Sequence, residues 1–176
     1  PEVAVSEIGV SPAVIVKPGR ELVGHSGNDE IGTPRELFAW LYRRFRFDFD
    51  AFASHQNALC DAYSTMAGTF EHGGRISDMD GLVYPWAERR VFWNPPYSSH
   101  TFGRAIEKAI EERNDAEISV GLVKLDPSTK NGRLLMDGRL FHIEPLPRIR
   151  YEGMKNAATF ASAVVIARPD AWKKAK

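Results

Sequence analysis

Arg90-Val91-Phe92-Trp93-Asn94-Pro95-Pro96-Tyr97 opens the stretch that decides the fold. A brief apolar strand runs to Trp93 and is stopped by Asn94-Pro95-Pro96, because proline fixes φ and has no N–H to give a ladder. Phe102, Ala105, Ile106, Ala109 and Ile110 then recur at helical spacing, which predicts a helix from about His100 to Arg113. Ile118 to Leu125 follows as a strand rich in β-branched residues. Strand, helix, strand in this order argues for parallel neighbours joined by a crossover helix. Further on, Leu140 to Ile143 and Ile149 to Tyr151 read as short strands and Ala161 to Ala167 as a strong final one. The expected architecture is an open, layered α/β fold, its sheet mostly parallel with an antiparallel closing hairpin at one edge.

Toward the N-terminus, Thr33-Pro34-Arg35-Glu36 has the form of a capping box, with Pro at the first helical position. Leu37, Phe38, Leu41 and Phe45 carry the helix to about Arg44. Phe47, Phe49 and Ala51 alternate with Asp48 and Asp50, a short strand ending in a turn. Gly68, Gly73, Gly74 and Gly81 mark residues 52–88 as loop-rich. Residues 1–28 are broken by Pro12, Pro18, Gly19, Gly24 and Gly27 and read as a partly flexible arm. The expected organisation is that arm, one catalytic domain over 29–170, and a basic tail over 171–176.

The chain has 176 residues, 43% hydrophobic, enough for one domain with a proper core. Twenty-three Lys+Arg balance twenty-three Asp+Glu, which excludes a polybasic tail protein. It leaves a nucleic-acid partner open, since charges can be segregated on the folded surface. No apolar run reaches the ~18 residues of a membrane span, and no signal-peptide pattern opens the chain. Cys60 is the lone cysteine, consistent with a cytoplasmic setting. His25, His55, His72, His100 and His142 lack metal-ligand spacing, so no metal is expected.

The chemistry concentrates at Asn94-Pro95-Pro96-Tyr97. Two prolines make the backbone stiff and leave carbonyls free. The loop can therefore offer the Asn94 side-chain oxygen and the Pro95 carbonyl as two fixed acceptors, with Tyr97 as a flat face beside them. Two acceptors suit the two hydrogens of a planar –NH₂ group, and a ring suits its aromatic plane. The plainer alternative is a strand-ending Pro-Pro turn with a packed tyrosine.

That tetrapeptide matches the catalytic motif of amino-group methyltransferases that use S-adenosylmethionine. Thr33-Pro34-x-x-Leu37-Phe38, then Phe49-Asp50-Ala51-x-Ala53-Ser54-x-x-Asn57-Ala58-x-Cys60, then Asp80-Gly81-Leu82 with Trp86 stand in order before it. Together, over about residues 29–168, they resemble the compact phage-type DNA N6-adenine methyltransferases. The resemblance implies a compact Rossmann-like class I methyltransferase fold, S-adenosylmethionine as cofactor and double-stranded DNA as partner, in a monomer or homodimer. A phage or prophage enzyme would act in the cytoplasm of a bacterial host. Thr33 and Pro34 then lie along the methionine end of the cofactor, and Asp50, Ala51, Phe52, Ala53 and Ser54 form the turn that approaches it. Asp80 and Leu82 sit beside its adenine, and Asn94, Pro95, Pro96 and Tyr97 form the catalytic loop. The turn at 51–54 departs from the family in having no glycine, and no acidic residue follows a second strand for the ribose. Asn57 or a residue in the 60s is left for that role.

An adenine inside a duplex is out of reach of such a loop, so the target must be flipped. Tyr97 would take one face of the base; Phe160 is either its second face or an ordinary core aromatic. Lys130 either meets a phosphate or merely follows the Asp126-Pro127-Ser128-Thr129 turn. Arg89 and Arg148, each with a second arginine close by, are candidates for the DNA backbone. Recognition loops would fit at Thr65 to Ile76 and Lys130 to Gly138. DNA binding needs Lys/Arg at phosphates, so a basic face is expected around 89–97 and 148–155. Glu107, Glu111, Glu112, Asp115 and Glu117 would belong to an acidic one. The rival readings are cytosine N4, a protein glutamine amide, and an inactive relative that binds DNA or cofactor.

Overall fold

A computed structural model describes residues 32–97 and 99–174; the expected arm at 1–28 and the last two residues of the basic tail lie outside them. Helix α1 (Arg35–Phe45) comes first, then strand β1 (Phe49–Asp50). Strands β2 (Ala62–Thr65), β3 (Gly68–Glu71) and β4 (Gly74–Ser77) follow. Strand β5 (Arg90–Trp93) leads through α2 (Ser99–Glu111) to β6 (Ile118–Leu125). Helix α3 (Lys130–Leu135), β7 (Phe141–Leu146) and β8 (Ala161–Ala167) close the fold. They build one eight-stranded sheet in the order β4-β3-β2-β1-β5-β6-β8-β7.

The expectation of a mostly parallel sheet is corrected. The centre is parallel: β2 with β1, β1 with β5, β5 with β6. The remaining pairs among the described residues are antiparallel, β2–β3 and β3–β4 on one wing, β6–β8 and β7–β8 on the other. The closing hairpin is therefore present, but residues 62–77 add a meander where loops were expected. Its strands are four residues long, and the glycines read as loop punctuation sit at strand starts and in the turn at Gly73 (φ 77°). Ile149–Tyr151 is not a strand; the backbone there is irregular and only Glu152 makes an isolated bridge, to Gly32. Pro145 lies inside β7, an edge strand, where its missing N–H is tolerated.

Side-chain alternation along β5 assigns the two layers. Val91 and Trp93 face α2, packing with Phe102, Ala105, Ile106 and Ala109. Phe92 faces α1, packing with Leu37, Phe38, Leu41 and Phe45. Trp93 lies over its cross-strand partner Gly121, where a Cβ would stand 2.5 Å from the indole, and its Nε1 donates to Ser119 Oγ at 3.1 Å. Any larger residue at 121 would lift the indole from the sheet. Helix α1 ends at Arg46, left-handed at φ 52°, whose N–H returns to the Tyr42 carbonyl. No helix of the described residues is long and apolar enough to cross a membrane.

Candidate active site

Strand β1 is where the order reverses: β2 follows it on one side and β5 lies on the other. A crevice outside the carboxyl ends of strands at such a reversal is the usual ligand site of open α/β sheets. The structure has a cleft there, about 790 Å³ of empty space including its open mouth. Thr33, Asp50, Ala51, Phe52, Ala53, Ser54, Asp80, Leu82, Asn94, Pro95 and Pro96, scattered over sixty residues of sequence, all line it. Pro34 is buried at the foot of α1 outside the lining, and Tyr97 sits behind the loop. The lining also includes Ser64, Thr65 and Met66 at the end of β2; the sequence signal for them was only the absence of an acid there.

The β1 wall carries the charge. Asp50 is buried, and its Oδ2 accepts from the Leu59 N–H at 3.2 Å. Its Oδ1 has no hydrogen-bond partner among the described residues. Burial pushes its pKa up from 3.8 to about 7, partly offset by the backbone N–H groups of Leu59 and Phe52. Ala51 N–H donates to the Phe92 carbonyl at 2.9 Å, tying the turn to β5. Asn57 Oδ1 accepts from Ser54 N–H at 2.6 Å and closes the following turn. Gly81 presses on the same wall: a Cβ there would stand 1.7 Å from the Ala51 oxygen. Asp80 Oδ1 accepts from Leu82 N–H at 2.9 Å, and buried Trp86 donates from Nε1 to the Gly81 carbonyl at 3.1 Å.

The β5 wall carries the polar pair. Asn94 Nδ2 donates to Thr33 Oγ1 at 3.0 Å, and Tyr97 OH donates to Asn94 Oδ1 at 3.2 Å. Thr33 was expected to cap α1; instead Pro34 occupies the cap position with no side-chain bond, and the threonine hydroxyl serves Asn94. The Tyr97 hydroxyl also stands 2.9 Å from Tyr151 OH, which is 3.0 Å from Ser162 Oγ. Burial holds the Tyr97 phenol well above its ordinary pKa, so it stays a neutral donor.

The substrate candidates separate by strand direction. Lys130, Arg148 and Phe160 lie just beyond the ends of β6, β7 and β8 that border the cleft, since Leu125 pairs with Ala161 and Leu146 with Ser162. Arg89 precedes β5 at the opposite edge, where it pairs with Glu71 at 3.2 Å and stands over the Phe49 ring; it is not brought to the site. Tyr97 and Phe160 meet edge to face at 5.5 Å and 86°, so no base fits between them as two parallel plates. Lys124 Nζ stands 5.6 Å from the Phe160 ring. The recognition segment expected at Thr65 to Ile76 is the β3–β4 hairpin, and most of Lys130 to Gly138 is α3, capped by Thr129 Oγ1 accepting from Gly132 N–H.

The chain resembles known proteins over much of its length. Residues 23–133 match the family described as DNA N-6-adenine-methyltransferase (Dam). A DNA N-6-adenine-methyltransferase of Escherichia phage T1 is 29% identical over 117 residues, 63% of this chain and 44% of the relative. The chain thus spans less than half the length of that curated relative. Because the match runs from before Thr33 through the Asn94–Tyr97 loop to α3, the chain belongs to the DNA N-6-adenine-methyltransferase (Dam) family.

Proposed function

We propose that this chain transfers a methyl group from S-adenosylmethionine to N6 of a flipped adenine in double-stranded DNA, on a methyltransferase variant of the Rossmann sheet, in the cytoplasm of a phage-infected host. The observation that carries the reading is the facing of two walls across one cleft: a buried carboxylate with an unpartnered oxygen at Asp50, and two acceptors on a proline-stiffened loop at Asn94 and Pro95.

The cleft suits the donor. Asp50 Oδ1 lacks a partner that a cation would supply, Phe52 and Leu82 offer apolar cover, and Asp80 is placed to accept from an amine. S-adenosylmethionine would supply an electrophilic methyl on a positively charged sulfur.

The chain's own residues then act on the target amine. Its lone pair is spread into the ring, which makes it a weak nucleophile. Asn94 Oδ1 and the Pro95 carbonyl accept its two hydrogens and favour a pyramidal nitrogen with the lone pair localised. No strong base is required, because the proton leaves to solvent after the bond to carbon forms. Holding the partners close and aligned supplies roughly 7–11 kcal/mol of the barrier. Tyr97 supports the loop and offers its ring edge.

Charge placement supports DNA over a peptide. Lys130, Arg148, Arg150 and Lys155 are exposed on the side of the cleft, whereas Glu111, Asp115 and Glu117 lie at the other end of the sheet. Arg90 there is neutralised by Glu117, and Arg113 by Asp170. Incubating the protein with methyl-labelled S-adenosylmethionine and unmethylated genomic DNA tests the reading. Label is expected as N6-methyladenine and lost by about 10²–10³-fold in Asn94→Ala, the scale of a removed transition-state hydrogen bond. Label found only in protein, or an active Asn94→Ala, overturns it.

A further inference from the structure

Behind the catalytic loop runs a chain of hydroxyls that the proposed transfer leaves unexplained. Ser162 Oγ, Tyr151 OH and Tyr97 OH follow one another at 3.0 and 2.9 Å, and the last reaches Asn94 Oδ1 at 3.2 Å. Tyr151 and Ser162 are almost wholly buried. A tyrosine of this kind normally needs one partner to satisfy its hydroxyl; this one has two, and both contacts admit either direction of donation.

The arithmetic of protons makes the arrangement two-state. Each hydroxyl has one hydrogen. In one direction Ser162 donates to Tyr151, Tyr151 to Tyr97, and Tyr97 to Asn94 Oδ1. In the other, Tyr97 donates to Tyr151 and Tyr151 to Ser162, and the Tyr97 hydrogen no longer occupies Asn94 Oδ1. The Leu122 carbonyl, 3.4 Å from Tyr97 OH, is a further acceptor on the second path. Thr33 holds Asn94 Nδ2 in both, so the amide itself does not turn.

We propose that Tyr151 and Ser162 are positioning residues that set the direction of the Tyr97 hydroxyl and, through it, how firmly Asn94 Oδ1 is held for the target amine. The inference rests on the reading of Asn94 as an amine acceptor. An amide oxygen accepts two hydrogens, so Tyr97 and the target amine can share Asn94 Oδ1. Without Tyr151 only the more distant Leu122 carbonyl competes with Asn94 for the Tyr97 hydrogen.

A double-mutant cycle on the full chain tests this, using kcat and KM for unmethylated genomic DNA, S-adenosylhomocysteine affinity and Tm. Tyr151→Phe is expected to lower kcat about tenfold, the scale of one hydrogen bond, with KM for DNA and S-adenosylhomocysteine affinity within about twofold of the unsubstituted chain. Ser162→Ala should do the same to a lesser degree. In a Tyr97→Phe background the Tyr151→Phe effect on kcat should vanish, because there is no hydroxyl left to receive. An effect of Tyr151→Phe that persists in that background, or that appears in KM and cofactor affinity instead, overturns the relay. Either result requires a chain that methylates DNA and loses that activity in Asn94→Ala, so failure of the relay is distinct from failure of the proposed function.

Discussion

The two walls of the cleft are built on opposite plans. The β5 wall is tied down at every polar atom named: Asn94 is held by Thr33 and Tyr97, and Tyr97 by Tyr151. The β1 wall keeps one carboxylate oxygen buried and unanswered. In the proposed reaction the first wall holds a neutral amine in one geometry and gains from internal bonds. The second receives a cation and gains from a charge with nothing else to satisfy it. The difference teaches that stability and ligand affinity pull in opposite directions on one side of the cleft and together on the other.

Asp50→Asn breaks the contrast most sharply. Loss of the charged partner should weaken S-adenosylmethionine binding about 10–100-fold, the range of a hydrogen bond to an ionised group, read by calorimetry. Stability should move the other way. The folded carboxyl titrates near 7 against an ordinary 3.8, so the native state holds this proton more tightly than the unfolded chain. Its contribution is complete below about pH 4 and is lost as pH rises to about 7, a swing on the order of 4 kcal/mol. At pH 8 the asparagine variant should therefore melt higher than the unsubstituted protein, with the gap closing toward pH 4. Equal melting temperatures at pH 8 would break the contrast. Ligand binding of the unsubstituted chain should strengthen as pH rises through about 7.

Gly81→Ala tests whether the β1 wall is rigid despite its unpartnered charge. A Cβ at 1.7 Å from a backbone oxygen cannot be absorbed by a side-chain rotation, and overpacking of this kind costs about 1–3 kcal/mol. Tm should fall and ligand affinity with it; an unchanged Tm would mean that the loop yields freely. Thr33→Val sharpens the β5 side with the smallest effect. It keeps the shape but removes the acceptor of Asn94 Nδ2, so kcat should drop by about fivefold to tenfold while Tm barely moves.

The same division governs what could be read from the sequence. The β5 wall was legible because its chemistry is contiguous: strand, Asn94, two prolines and Tyr97 occur in one run, and α2 and β6 follow with clean periodicity. The β1 wall was legible only in company, since Asp50 and Asp80 acquire meaning when the sheet brings them together. Thr33 shows why local rules fail here. A threonine three residues before a glutamate satisfies the capping pattern, yet a long-range partner, sixty-one residues on, claims its hydroxyl. Residues 62–77 failed for a different reason: strands of four residues separated by glycines carry too few alternations to rise above loop composition. Arg89 was mistaken because nearness in sequence to Asn94 hides the length of a strand between them.

Pro145 has a bearing on how these molecules meet one another. Its ring nitrogen has no hydrogen to give a ladder, which is why proline within sheets belongs on an edge strand such as β7. An approaching strand would find that proline along the border, followed by exposed Pro147 and Arg148. At the opposite border, β4 presents Gly74 and an exposed Arg75, again poor material for a continuing ladder. Open sheets risk growing by addition of further chains, and here both borders are blunted, so crowding at high concentration should not convert this sheet into a template.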